Sequence, residues 1–148
     1  MGWNTGSGGG GGAAKKGASV YRSTNQTGAS AAVSFDTAID NDGQWAGGAP
    51  TKLTALQDGW HTATAYLEYH GLGTSLARCW IAHYDAFDVL QSVTYAWIGF
   101  LYAGGGSPNY AIMTPSGSFK MLAGEYVQLW KDGSIVEAGA NMFSLVEA

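Results

Sequence analysis

The sequence predicts an all-β fold, a sandwich or jelly roll of eight to ten short strands behind a glycine-rich N-terminal arm. Three observations lead there. Short apolar or alternating runs recur through residues 18–148, separated by Gly, Asp and Pro turn signals. No stretch combines a 3.6-residue apolar period with helix caps. Eight of the first seventeen residues are glycine, five of them unbroken from Gly8 to Gly12, which leaves almost no side chain to bury and the most backbone entropy to lose on ordering.

The elements follow in order. Ala18–Arg22 (ASVYR) and Ala31–Phe35 (AAVSF) are short strands on either side of a polar stretch. Asp36–Pro50 is read as one long loop, because it carries Asp-Gly, Gly-Gly and a proline. Thr51–Leu56 resumes a strand, and Asp58-Gly59 turns the chain. Trp60–Tyr69 alternates, with Ala63, Ala65, Leu67 and Tyr69 on one face and Thr62, Thr64, Tyr66 and Glu68 on the other. Leu76–Tyr84 is apolar on both faces, as in a sandwich whose outer face is covered. Val89–Ala103 is rich in β-branched and aromatic residues and predicts two strands or one bent one, before the loop Gly104–Pro108. Asn109–Thr114 and Phe119–Leu122 are strands around a turn at Pro115-Ser116-Gly117. Glu125–Lys131 alternates, placing Val127 and Leu129 toward the core and Tyr126, Gln128 and Trp130 away from it. Met142–Val146 is the final strand.

At 148 residues the chain has room for one domain, residues 18–148, plus the arm, residues 1–17. Hydrophobic content is 46%, aromatics reach 13% with six Trp and eight Tyr, and charged residues are only 12%. So many aromatics cannot all be hidden in a core this small, and part of the surface is expected to be covered by other subunits. The net charge of −4 and the single basic pair Lys15-Lys16 argue against a nucleic-acid partner. No apolar run approaches the roughly 20 residues of a membrane helix, and no signal-peptide core follows Met1. Cys79 stands alone in the run RCWIA and reads as a buried thiol.

Chemistry is sparse. His61, His70 and His83 show no metal-ligand spacing and read as strand histidines with polar neighbours. His83, Asp85, Asp88 and Ser92 lie close in sequence, which is not the convergence a catalytic triad needs. Asp36, Asp40 and Asp42 before Gly43 do not match a calcium-loop pattern, since Ala38 and Ala49 fall on ligand positions. An Asx-rich turn is the expectation there, with a loop calcium as the alternative. Gly104-Gly105-Gly106 lacks the Lys-Ser/Thr of a phosphate loop. Trp45, Tyr102 and Tyr110 either pack at the sandwich ends or stack on a sugar. No enzymatic activity, cofactor or metal is expected.

Three segments stand in a telling order. Val33–Trp45 (VSFDTAIDNDGQW), Leu56–Tyr69 (LQDGWHTATAYLEY) and Phe119–Gly133 (FKMLAGEYVQLWKDG), followed by Asn141–Ala148 (NMFSLVEA), resemble the successive strand motifs of C1q/TNF-like jelly-roll heads over residues 18–148. Trp60-His61 and Phe143-Ser144-Leu145 depart from the usual pattern, and no collagen segment is present. The chain is more similar to the phage-type branch of such heads, found on head fibres, capsid decoration proteins and tail fibres. The resemblance implies a homotrimer on a virion, at the capsid surface, with the major capsid protein or another virion protein as partner. A receptor- or glycan-binding tail-fibre head is the alternative. Tyr66, Trp80, Tyr84, Tyr95, Trp97, Tyr126 and Trp130 are the candidate trimer contacts. The arm is the candidate anchor: Trp3 supplies an apolar side chain, Gly8, Gly9, Gly10, Gly11 and Gly12 allow close backbone approach, and Lys15 and Lys16 add a modest charge contact.

Overall fold

A computed structural model describes residues 15–27, 30–70, 78–97, 110–132, 135–136 and 141–148. The candidate anchor residues Trp3 and Gly8–Gly12, and Tyr102 and Gly104–Gly106, lie outside the described residues, as do the side chains of His70, Trp97 and Tyr110.

Twelve strands and no helix appear among the described residues: β1 Gly17–Tyr21, β2 Ala31–Ala32, β3 Thr37–Asn41, β4 Leu53–Thr54, β5 Gly59–His70, β6 Arg78–Tyr84, β7 Leu90–Trp97, β8 Tyr110–Met113, β9 Ser116–Met121, β10 Tyr126–Asp132, β11 Ile135–Val136 and β12 Met142–Glu147. They form two antiparallel sheets. The first runs β3-β1-β12-β5, with β9 and β8 along the far side of β5 and β11 extending the β12 side. In the second, β2 and β4 flank one side of β10, and β6 and then β7 flank the other.

The core forms where the two sheets present their apolar faces. On β5 the alternation holds, and His61, Ala63, Ala65, Leu67 and Tyr69 are all buried. Val127 and Leu129 of β10 face them from the second sheet and are fully buried. Phe35 and Phe143 stack in the interior, with ring centroids 5.8 Å apart. The Tyr69 hydroxyl donates to the Arg78 carbonyl at 2.8 Å, so its one polar atom is satisfied. Cys79 is buried as expected, and burial pushes its thiol up to about 12, which keeps it neutral. Lys131 continues the inward face of β10 and is fully buried, and desolvation holds its pKa below the usual lysine value.

Two readings of the sequence are corrected. Thr37–Asn41, expected to be part of a loop, is the strand β3 at the edge of its sheet, paired among the described residues with β1 alone, through a register shift at Ser19/Val20. Edge strands tolerate Asp and Asn because one side of their ladder meets water. The expected turn at Pro115-Ser116-Gly117 is instead a break within one long strand. Met113 pairs with Leu67 and Ser116 with Thr64, on the same side of β5. Proline has no N–H to give a ladder, but its carbonyl still accepts from Ala65 N at 2.9 Å.

The strand directions give the sandwich two distinct ends. The connections 42–52, 55–58, 85–89 and 122–125 all fall at one end, called here the base. Ala148 donates to the Trp60 carbonyl there, and Glu147 N donates to the Lys16 carbonyl, so the arm and the C-terminus both meet the head at the base.

Candidate functional site

The arm's junction with the head is well held. Gly17 opens β1 opposite Val146, and its N–H donates to Asp42 Oδ2 at 2.9 Å. Asp42 N returns a bond to the Gly17 carbonyl at 3.0 Å. A side chain at Gly17 would come within 3.0 Å of the Leu145 carbonyl, so the arm enters through a passage sized for glycine. Lys15, Asp40, Asn41 and Asp42 line a polar depression beside this junction.

The three aspartates of the sequence reading do not converge. Asp36 lies before β3, where its carboxylate accepts from Ser23 N and Ser23 Oγ, both at 2.9 Å. Asp42 lies after β3 at the base, so about six residues of extended chain, roughly 20 Å, separate the two. No group of three or more His, Cys, Asp or Glu side chains among the described residues is placed to hold a metal ion.

The aromatic residues fall into two sets on opposite faces. Trp80, Tyr84, Tyr95, Tyr126 and Trp130 all lie on the outer face of the second sheet. Strand register brings them into rows: Trp130 opposite Trp80 opposite Tyr95, and Tyr126 opposite Tyr84. Trp80 and Trp130 stack nearly parallel with centroids 6.0 Å apart, Trp80 and Tyr95 are tilted at 6.1 Å, and Tyr84 and Tyr126 stack at 5.1 Å. Four residues of strand, about 13 Å, separate the rows, with Gln128, Ala82 and Val93 between them.

Tyr66 lies on the outer face of the first sheet, opposite Met142. The middle of that face is small and polar, with Thr62, Thr64, Ser116, Ser118 and Ser144, and Thr64 Oγ1 lies 2.6 Å from Ser144 Oγ, while Trp60 and Ile112 stand exposed toward its ends. Glu68 and Lys120 are the only charged side chains that β5, β9 and β12 place on it among the described residues.

Two polar clusters at the base were not legible as units. Lys52 Nζ pairs with Asp88 Oδ1 at 2.9 Å and sits 3.9 Å above the Tyr126 ring, while the Tyr126 hydroxyl donates to the same Asp88 oxygen at 2.6 Å. The Tyr126 hydroxyl, then Lys52, hold the Asp88 carboxyl below its usual pKa. The second cluster joins His83 to Glu125: Nε2 lies 2.9 Å from Oε2, and that oxygen also accepts from Leu122 N at 2.9 Å. Ser92 Oγ approaches the other ring nitrogen only to 3.4 Å, a long contact for a nucleophile and its base. The carboxylate that His83 meets is therefore Glu125, while Asp85 is spent on its own turn through Phe87 N and Val89 N. Trp45, one of the loop aromatics, packs partly against the core and bridges Leu53.

No protein-family model matches the chain, and no curated protein matches it in sequence. Solved structures do. The crystal structure of murine APRIL at pH 5.0 is similar with a TM-score of 0.65 at 7% sequence identity, over 90% of this chain and 99% of that one. The globular domain of zebrafish complement 1qA protein is similar with a TM-score of 0.58 at 13% identity, over 88% of this chain and 95% of that one. The chain therefore has the C1q/TNF-like jelly-roll fold expected from its motifs.

Proposed function

We propose that this chain is a non-catalytic structural protein of a phage-type particle: a homotrimeric head on the capsid surface, attached by its arm to the major capsid protein or another virion protein. The observation that carries the reading is the junction at the base. Residues 15–17, which follow the glycine-rich segment in sequence, meet the head at the base, where Gly17 is bonded to Asp42 and has no room for a side chain, as the root of a tether would be. The nearly uncharged face around Tyr66 and Met142 suits subunit contact. A closed ring of three uses two different patches from each chain, and the outer faces of the two sheets offer different ones.

A second reading, a receptor- or glycan-binding head on a tail fibre, has one observation in its favour. Trp130, Trp80, Tyr95 and Tyr84 form an aromatic surface, while Tyr126, stacked on Tyr84, is buried. The Trp130 indole N–H in it is buried without a hydrogen-bond partner among the described residues. Copy number separates the readings, since capsid decoration gives many copies over a shell and a fibre tip gives few. A mass-spectrometric inventory of purified particles with copy numbers decides between them.

The same particles test the tether. Deleting Met1–Gly12 is expected to leave a folded head that no longer attaches, and Trp3→Ala is expected to weaken attachment by itself. Normal occupancy of the deleted chain overturns the tether.

A further inference from the structure

Most large apolar side chains that are exposed among the described residues belong to the base: Leu56, Phe87, Val89 and Leu122 on its connections, Leu90 at the start of β7 and Trp60 at the start of β5. Phe87 is 87% exposed, the highest value among them. Isolated apolar side chains on a surface need no explanation, but several on neighbouring connections at one end of a head point to an interaction site.

These connections are not loose loops. Ala55 N donates to the Glu125 carbonyl at 2.8 Å, Gly124 N to the Ala55 carbonyl at 2.9 Å, and Ala123 N to Asp58 Oδ1 at 2.8 Å. A Cβ on Gly124, whose φ is +91°, would touch Ala86 at 3.7 Å, so the 122–125 and 85–89 connections lie side by side. In the 85–89 turn, Asp85 Oδ1 accepts from Phe87 N at 2.8 Å and Val89 N at 2.9 Å. Asp88 is held at φ +65° while its carboxylate binds Lys52 and Tyr126. Phe87 is thus carried on a turn whose backbone is fixed from both sides, so little backbone entropy is lost when it docks. The nearby carboxylates of Asp58, Asp85, Asp88 and Glu125 each accept hydrogen bonds within the head, and Asp88 and Lys52 remain as a charged pair beside the apolar side chains.

We propose that the base is a docking surface for the protein that holds the arm, with Phe87 as its anchor in an apolar pocket of that protein. The inference rests on the tethered-head reading. Its occupant follows from where the chain leaves: the fourteen residues before Lys15 start from this end. The base is therefore the part of the head nearest along the chain to whatever holds the arm. The arm and the base then act as two linked contacts, each raising the effective concentration of the other.

The experiment uses the full chain on purified particles. Phe87→Asp and the control Ile39→Asp, at another exposed apolar position, are compared with the deletion of Met1–Gly12. A photoreactive benzoylphenylalanine is also placed at position 87. We expect Phe87→Asp to keep its melting temperature and assembly mass while attaching about tenfold or more weakly, as loss of an interface anchor does. Ile39→Asp should attach normally, and light should join position 87 to the arm-holding protein. Unchanged attachment of Phe87→Asp, or cross-links only to other copies of this chain, overturns the docking surface. If the arm deletion releases the head in that case, the tether stands and only the docking surface falls. If the chain is absent from the particles, or the arm deletion attaches normally, the tethered-head reading falls first and the docking surface with it.

Discussion

Phe143→Ala is expected to lower the stability of the head by about 3–5 kcal/mol, the usual cost of removing a fully buried aromatic. Phe143 sits on β12 between β1 and β5, with its backbone opposite Val20 on one side and Ala65 on the other. It is fully buried, and its ring stacks on Phe35 across the core. The side chains around it belong to paired strands that cannot collapse into the space left behind, so the cavity remains. Denaturant unfolding at one fixed protein concentration measures the change, since assembly makes apparent stability concentration-dependent. A loss below about 1 kcal/mol would show that the ring is not enclosed as described.

Leu129→Ala is the counterpart in the other sheet, with an expected cost of about 2–5 kcal/mol. Leu129 is fully buried on β10, opposite Ile81, and its carbonyl accepts from Val33 N at 2.7 Å. It lies at the middle of the central strand of its sheet, where the neighbours on both sides are fixed by ladder bonds. The substitution should leave the backbone pattern intact and shift only the unfolding midpoint. An unchanged midpoint would place Leu129 outside the core and overturn the register of β10.

The legible parts of the fold are those with a strong local signal. The alternation of Trp60–Tyr69 named the buried face correctly, because a period of two leaves one set of side chains inside; that of Glu125–Lys131 named Val127 and Leu129 as inward, but Tyr126 and Gln128 on the other face are buried as well. β3 was hidden because Asp40 and Asn41 look like turn residues, and its pairing with β1 is a long-range fact. The break at Pro115 looked like a reversal because proline and glycine punctuate both, and only the pairing with β5 tells them apart. The inward side chain of Lys131 follows the alternation, but its complete burial depends on the sheet packed over it.

The sites divide in the same way. That aromatics were in excess could be read from composition, whereas the stacking of Trp80 on Trp130 depends on strands joined only by the fold. His83 and Glu125 are 42 positions apart, so nothing local links them. The base surface is assembled from separate connections, each of which reads alone as an ordinary turn. The exposed Phe87 was visible as a residue, but not as part of a fixed turn beside the 122–125 connection.

The central claim is a head that assembles in threes and is carried by its arm. Sedimentation equilibrium of the chain lacking Met1–Gly12, at roughly micromolar concentration, tests it most directly, because a dissociation constant well below micromolar keeps a complex together there. The account predicts a mass near three chains, with the trimer intact in the absence of the arm. A single species at the mass of one chain would contradict it.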